Sequence, residues 1–179
     1  MFQILQLVVL ALLATSAYGN CPQVDLTPNF DTKRYMGTWY EIQAQDSTFR
    51  TVTTCGKSEY SLLNDAVHVV TQGENSSGSP VKDSTKMSIS ENPARMFTTV
   101  RTFLMTVNPP YEVLDTDYDN YACVHSCLSF GIFGTNDYLW IYSRKRTLEK
   151  SMVEACRTLF SKYRGTDISI LKDTPQIGC

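Results

Sequence analysis

The feature that most constrains the fold of this 179-residue chain is a succession of eight short stretches separated by polar turns. Several are rich in Val, Thr, Tyr or Phe, which favour strands, and apolar and polar residues alternate along them. The eight stretches are residues 37–45, 55–63, 66–72, 81–90, 95–107, 111–116, 121–130 and 137–144. Sequential strands joined by short turns predict an up-and-down antiparallel β-barrel, whose closure removes exposed sheet edges.

The pattern changes after the eighth strand, over residues 147–163. Apolar residues recur there at steps of three and four, which predicts one face of an α-helix. These residues are Leu148, Met152, Cys156, Leu159 and Tyr163. Thr147 can cap the helix, Gly165 can end it, and a short last strand is expected at residues 168–171. The predicted fold class is therefore all-β: an eight-stranded antiparallel up-and-down β-barrel with one C-terminal α-helix packed outside.

The first 19 residues have the composition of a secretory signal peptide. Residues 2–14 are almost continuously apolar but too short to span a bilayer, and Ala17-Tyr18-Gly19 is a small-x-small cleavage site. We therefore expect a secreted, extracellular protein with one domain at residues 20–179. No other apolar run approaches the length of a membrane span, and a net charge of −2 with interspersed signs argues against a nucleic-acid partner.

A polar loop at residues 73–80 carries the chain's one acceptor sequence for N-glycosylation, Asn75-Ser76-Ser77. Because the loop is polar and the protein is expected to be secreted, glycosylation of Asn75 is predicted.

Six cysteines lie in the expected mature domain, and an even number in an oxidising compartment predicts three disulfides. Cys123 and Cys127 lie about 13 Å apart on one predicted strand, beyond the roughly 7 Å that a disulfide tolerates, so they do not pair with each other. Cys156 lies on the apolar face of the predicted helix, which favours Cys123 or Cys127 as its partner. Because the cysteines are dispersed and form no Cys-x-x-Cys motif, no metal site is expected.

Three short motifs occur in order along the chain. They are Gly37-Thr38-Trp39, Thr116-Asp117-Tyr118 and Arg144. Together they resemble the three sequence signatures of the lipocalin family. Residues 115–127 are most similar to the group of lipocalins that includes crustacyanins, insect bilin-binding proteins and apolipoprotein D. The resemblance covers residues 21–179 and implies a lipocalin barrel.

The resemblance also implies structural roles for particular residues. Arg144 would lie over Trp39 at the closed end of the barrel, where Gly37 begins the first strand. Thr116, Asp117 and Tyr118 would form a turn at the same end. The implied disulfides are Cys21–Cys127, Cys55–Cys179 and Cys123–Cys156.

The barrel interior is expected to hold the ligand. Alternation places Ser58 and Tyr60 on one face of the second strand and the charged Lys57 and Glu59 on the other. The resemblance supports inward positions for Tyr60 and Trp140. The predicted ligand-binding residues are Ser58, Tyr60, Leu62, Val69, Thr71, Tyr138, Trp140 and Tyr142. Rings, small side chains and scattered hydroxyls suit an apolar cavity with a few orienting polar groups.

The two histidines do not belong to this set. His68 alternates with the inward Val67 and Val69, so it is expected to face outwards. His125 shares its strand face with Cys123 and Cys127, and it is expected to pack on the outer face under the helix.

These features favour a secreted carrier of one small hydrophobic ligand. The resemblance implies that the ligand is a pigment, either a carotenoid such as astaxanthin or a bilin, bound as a chromophore. No cofactor is expected to be required. An apolipoprotein D-like carrier of a retinoid, sterol or fatty acid is the alternative. Because a carotenoid is longer than such a barrel is deep, a homo- or heterodimer would cover its exposed end.

The sequence also bears on two further functional classes, an enzyme and a ligand-free interaction module. Some lipocalin-like proteins isomerise lipids with a free cysteine inside the barrel, but all six cysteines here match disulfide positions. The chain also lacks the motifs of serine hydrolases, phosphate-binding loops and zinc proteases, so it is not expected to be an enzyme. A ligand-free interaction module with a filled barrel is the remaining alternative.

Overall fold

Strands dominate the computed structural model, which describes residues 21–46, 50–101, 106–130, 134–163 and 168–179. In chain order the elements are α1 (Thr32–Tyr35), β1 (Gly37–Gln45), β2 (Thr54–Leu63), β3 (Ala66–Glu74), β4 (Pro80–Ile89), β5 (Arg95–Thr98), β6 (Val100–Arg101), β7 (Thr106–Val107), β8 (Pro110–Thr116), β9 (Tyr121–Ser129), β10 (Thr135–Ser143), α2 (Lys150–Ser161), a 3-10 helix (Ile168–Ile170) and β11 (Leu171–Asp173). The expected signal peptide and Gly165 lie outside the described residues.

Eight of these strands close into one antiparallel barrel. They pair in the order β1-β2-β3-β4-β5-β8-β9-β10, and β10 pairs with β1 to complete the ring, with Ala44 opposite Trp140. The other edge of β1 is shared: its first half pairs with β2 and its last residues pair with β11. The predicted eight-stranded up-and-down barrel is confirmed.

The fifth predicted strand, residues 95–107, is wrong as a single element. β5 ends at Thr98, and β6 pairs with β7 in a separate two-stranded sheet that sets Val100 opposite Val107. The ladder between β5 and β8 ends where the Thr98 N–H donates to the Pro109 carbonyl. Because Pro109 and Pro110 have no backbone N–H, they cannot return the bonds that a longer β5 would need.

The boundaries of the C-terminal elements also differ from the sequence prediction. α2 begins at Lys150 rather than Thr147, whose carbonyl accepts a hydrogen bond from the Ser143 hydroxyl instead. The expected strand at residues 168–171 is a 3-10 helix followed by β11, which begins at Leu171. In the described part of the chain, no helix combines the length and apolar character needed to cross a membrane.

Alternation along the strands sorts the apolar side chains into two cores. On β10, Tyr142 belongs to the core inside the barrel, whereas Leu139 and Ile141 belong to a second core outside it. α2 buries Cys156 and Phe160 in this outer core. The prediction of one C-terminal helix packed outside the barrel is therefore confirmed.

Three disulfides tie peripheral segments to the barrel. Cys21–Cys127 holds the N-terminal arm against β9, Cys55–Cys179 holds the C-terminal tail against β2, and Cys123–Cys156 holds α2 against β9. They are the pairs that the resemblance implies, and they include all six cysteines of the chain.

Asn75 lies in the turn between β3 and β4. Its side-chain oxygen accepts hydrogen bonds from the backbone N–H groups of Ser77 and Ser79, which shape the turn. Glycosylation of Asn75 stays a prediction.

One end of the barrel is closed by a tryptophan and an arginine. The guanidinium carbon of Arg144 lies 3.7 Å from the ring centroid of the fully buried Trp39, a cation–π contact. Arg144 also donates hydrogen bonds to the carbonyls of Thr38 and Tyr118 at 2.9 and 2.8 Å, and further bonds to the carbonyls of Arg34 and Tyr35. One side chain thus joins the entry to β1 with the turn after β8.

That turn is held by its own side chains. The Thr116 hydroxyl donates to the Tyr121 carbonyl and accepts from the Tyr118 N–H. The Asp117 carboxylate accepts from the backbone N–H groups of Asn120 and Tyr121, and these bonds outweigh its partial desolvation and lower the pKa of Asp117.

We expect Arg144→Ala to lower the free energy of unfolding by about 2–4 kcal/mol, because it leaves several carbonyls unpaired and uncovers Trp39. Urea unfolding followed by tryptophan fluorescence measures the loss, with Lys145→Ala at the exposed neighbouring position as the control. A loss below about 0.5 kcal/mol, typical of an ordinary surface site, would contradict this role for Arg144.

Candidate functional site

The inner wall of the barrel brings most of the predicted ligand-binding residues together. Tyr60, Val69 and Tyr142 belong to the inner core, and Trp140 packs against it. The hydroxyls of Ser58 and Thr71 lie 2.9 Å apart across β2 and β3. Tyr138 stacks on Trp140, with ring centroids 6.2 Å apart and planes 16° from parallel.

Leu62 is placed differently from the other predicted residues. It packs against the inner core from the closed end and lines an open depression of 610 Å³ there, together with Phe30, Ile89 and Pro93. Its position follows from the strand direction, because β2 runs towards the closed end and Leu62 lies beyond Tyr60. The structure does not bring Leu62 together with Tyr138 and Trp140.

A chain of tyrosine hydroxyls crosses the barrel near its closed end. The Tyr111 hydroxyl lies 2.8 Å from the hydroxyls of both Tyr35 and Tyr60, and Tyr142 is buried in the same core. The rings of Tyr35 and Tyr60 meet edge to face, with centroids 5.5 Å apart. These hydroxyl and ring contacts form a layer of tyrosine side chains across the barrel, the tyrosine floor.

The tyrosine floor is uncharged at physiological pH. Desolvation by burial raises the pKa of Tyr60 to about 12 and raises the pKa values of Tyr35, Tyr111 and Tyr142 well above their ordinary value. A ligand reaching the floor would therefore meet neutral hydroxyls and aromatic faces.

Two of these tyrosines were missed by the sequence prediction. Tyr111 could have been found, because it alternates with Val113 on the inner face of β8. Tyr35 could not, because it enters the interior from the short helix α1 and not from a strand.

A buried ion pair was also missed. Nη2 of Arg50 donates to Oε1 of Glu41 at 2.8 Å, and each side chain is only 10% exposed. The Thr174 hydroxyl accepts from the same Arg50 nitrogen and donates to the same Glu41 oxygen. The charges of Glu41 and Arg50 offset each other, so this polar group adds no net charge to the site.

Glu41 faces the barrel interior. It lies two residues after the inward Trp39 and opposite the inward Tyr142 on β10. Its charge also contributes to the raised pKa values of Tyr60 and Tyr142, after the larger effect of their burial. Alternation with Trp39 could have predicted this orientation, whereas Arg50 lies between strands, where no period applies.

The segment carrying Arg50 is held against the wall by two glycines. Val52 is buried, and a Cβ at Gly73 would lie 2.4 Å from Val52 Cγ1, whereas at Gly56 the same distance would be 3.2 Å. Only glycine at position 73 leaves room for Val52. This contact positions the connection between β1 and β2, and with it the Arg50 side chain.

A second charged cluster lies on the outer wall. Nδ1 of His125 lies 2.8 Å from a Glu112 oxygen and Nε2 lies 2.8 Å from an Asp137 oxygen, while Arg95 donates to the other Glu112 oxygen. His125 is only 1% exposed. It shares the outer face of β9 with Cys123 and so faces away from the inner wall. Among the described residues, no group of His, Cys, Asp and Glu could hold a metal ion.

The two carboxylates favour the charged form of His125. Burial by itself lowers the pKa of His125, but the hydrogen bonds and charges of Asp137 and Glu112 outweigh it, so the pKa is raised above 6.5. Because the pKa is higher in the folded state, the resulting stabilisation is fully present below pH 6.5 and is lost as pH rises through the folded-state pKa.

We therefore expect His125→Gln to destabilise the protein most below pH 6.5, with the difference from wild type shrinking as pH rises. Free energies of unfolding measured across this range test the expectation, and His68→Gln on β3 is the control. A His125→Gln deficit that does not change with pH would show that His125 stabilises the fold by packing alone.

The chain is similar in sequence to a family of known proteins. The model of the Lipocalin / cytosolic fatty-acid binding protein family matches residues 36–177. Apolipoprotein D of Mus musculus is 32% identical over 164 residues, which cover 90% of this chain and 85% of that protein. The Crustacyanin-A1 subunit of Homarus gammarus is 25% identical over 168 residues, which cover 90% and 91% of the two chains.

A solved structure agrees with these similarities. Lobster apocrustacyanin A1 superposes with a TM-score of 0.73 at 25% sequence identity, and the match covers 89% of each chain.

Proposed function

This chain belongs to the Lipocalin / cytosolic fatty-acid binding protein family, and from that premise we propose that it binds one small hydrophobic ligand inside its barrel and carries it outside the cell. The observation that carries the proposal is the composition of the inner wall. Aromatic and aliphatic side chains form its core, and its polar groups include neutral tyrosines, the hydroxyl pair of Ser58 and Thr71, the buried Ser126 opposite Tyr138, and one charge-balanced ion pair. Such a wall suits an apolar molecule oriented by a few polar contacts.

We assign the ligand contacts to the inner wall above the tyrosine floor. The proposed contact residues are Ser58, Tyr60, Val69, Thr71, Tyr138, Trp140 and Tyr142. Binding is driven by removal of apolar surface from water, about 25 cal/mol per Å², less the cost of ordering the ligand and loops.

Two classes of ligand are consistent with this inner wall. The motifs that resemble crustacyanins and insect bilin-binding proteins favour a carotenoid such as astaxanthin, or a bilin. The identity to apolipoprotein D favours a retinoid, sterol or fatty acid as strongly. A homo- or heterodimer belongs to the carotenoid case, because part of that ligand would project from the barrel.

A carrier role is favoured over catalysis. A lipid isomerase of this fold would need a free thiol, and all six cysteines are paired in disulfides. Secretion is supported by the same disulfides, which persist in oxidising compartments. We also propose that residues 1–19 are removed, that the mature domain spans residues 20–179, and that Asn75 carries a glycan.

The decisive measurement on the ligand class is a visible absorption spectrum of the protein purified from its natural source. A carotenoid or bilin carrier is expected to show a band that follows the protein through purification and shifts when denaturant releases the pigment. A colourless protein whose organic extract contains a retinoid, sterol or fatty acid would establish the alternative. A protein that carries nothing and binds none of these classes would support a filled interaction module instead.

We expect Trp140→Leu to weaken binding of retinol about tenfold, because the variant loses a ring that stacks with Tyr138 on the inner wall. Titration followed by retinol fluorescence measures the change. Tyr40→Leu is the matched control, since Tyr40 contacts Arg146 on the outside of β1. Equal weakening by both variants would contradict the assignment of Trp140 to the ligand site.

A further inference from the structure

We propose that the ligand bears a neutral oxygen, a hydroxyl or a carbonyl, and that Nε of Arg50 donates a hydrogen bond to it. The inference rests on the proposed carrier function and narrows its ligand class.

Arg50 carries an unused hydrogen-bond donor. Its side chain is 10% exposed, and Nη2 bonds both Glu41 and Thr174. In the part of the chain that the structure describes, only two buried side-chain nitrogen or oxygen atoms lack a hydrogen-bond partner. They are Arg50 Nε and Gln45 Oε1. Burying a donor without an acceptor costs free energy, and the cost is greater when the donor is charged. A ligand oxygen that accepts from Nε would remove this cost.

The guanidinium is paired with a residue of the inner wall. Its partner Glu41 faces inwards between the tyrosine floor and Ala44, which stands opposite Trp140. Two residues further on, Val52 packs against the glycines on the inner faces of β2 and β3. Arg50 is therefore bonded to an inward residue that stands opposite Tyr142, one of the aromatic contacts proposed for the ligand.

The charge balance of the site selects the type of oxygen. Glu41 already offsets the charge of Arg50, so a ligand carboxylate would bring a second negative charge beside Glu41 in a poorly solvated space. A hydroxyl or carbonyl oxygen accepts from Nε without adding charge. The site should therefore favour an alcohol, aldehyde or ketone over an acid with the same carbon skeleton.

Retinol and retinoate provide such a pair, since they differ in the oxidation state of one terminal carbon. Quenching of tryptophan fluorescence yields a dissociation constant for each. We expect wild type to bind retinol about tenfold more tightly than retinoate. Retinol accepts a hydrogen bond from Nε without adding charge, whereas the carboxylate of retinoate is repelled by Glu41.

Arg50→Lys tests the role of the donor. Lysine keeps the positive charge beside Glu41 but places a methylene group where arginine has Nε, so retinol binding should weaken about tenfold and the preference over retinoate should disappear. Arg95→Lys is the matched control, because Arg95 pairs with Glu112 on the outer wall. It should leave both dissociation constants unchanged.

Glu41→Gln tests the charge argument independently. Without the Glu41 carboxylate, the Arg50 charge is no longer offset, so retinoate should bind at least as tightly as retinol. This reversal keeps the inference testable if Arg50→Lys fails to fold, and thermal unfolding checks both variants.

The outcomes separate the inference from the carrier function. Wild type that binds both retinoids equally, or Arg50→Lys that keeps the wild-type preference, would overturn the inference and leave the carrier function standing. Wild type that binds neither retinoid would overturn a carrier of ligands of this size, and the inference with it.

Discussion

The pairing of the first barrel strand with the last is the constraint on which the rest of this structure depends. β10 completes the ring by bonding to one edge of β1, while β2 and β11 divide the other edge between them. Closure removes free sheet edges and gives each barrel strand an inner and an outer face. The two faces then bury different cores, one inside the barrel and one beneath α2.

The inside of the ring combines an apolar wall with polar groups whose charges are absent or offset. The tyrosine hydroxyls bond to one another and remain neutral, and Glu41 is offset by Arg50. Outside the ring, the buried carboxylates of Glu112 and Asp137 are likewise paired, in this case with His125. Buried charges that are paired in this way avoid the large penalty of an isolated ion, and the pair on the inner wall adds no net charge to it.

The inner wall could be predicted wherever it is built from strands. Alternation placed Ser58, Tyr60, Val69 and Thr71 correctly on inner faces, and the same rule applied to Trp39 would have found Glu41. Tyr35, Arg50 and Thr174 escaped prediction because they reach the interior from a helix, a connection and the tail, which have no period of two. The prediction of one strand at residues 95–107 was wrong for a related reason, because strand-forming composition does not show where the pairing with a partner strand ends.

The sequence by itself determined the number of barrel strands, the inward parity of most of them, the helix after them and the family. These properties are encoded in residues close together in the chain, so spacing and composition reveal them. Only the tertiary structure decided that Leu62 lies at the closed end, and that Arg50 meets both Glu41 and Thr174, the latter 124 positions away. Such contacts depend on the path of the whole closed barrel, because residues from distant segments bond only after closure brings them together.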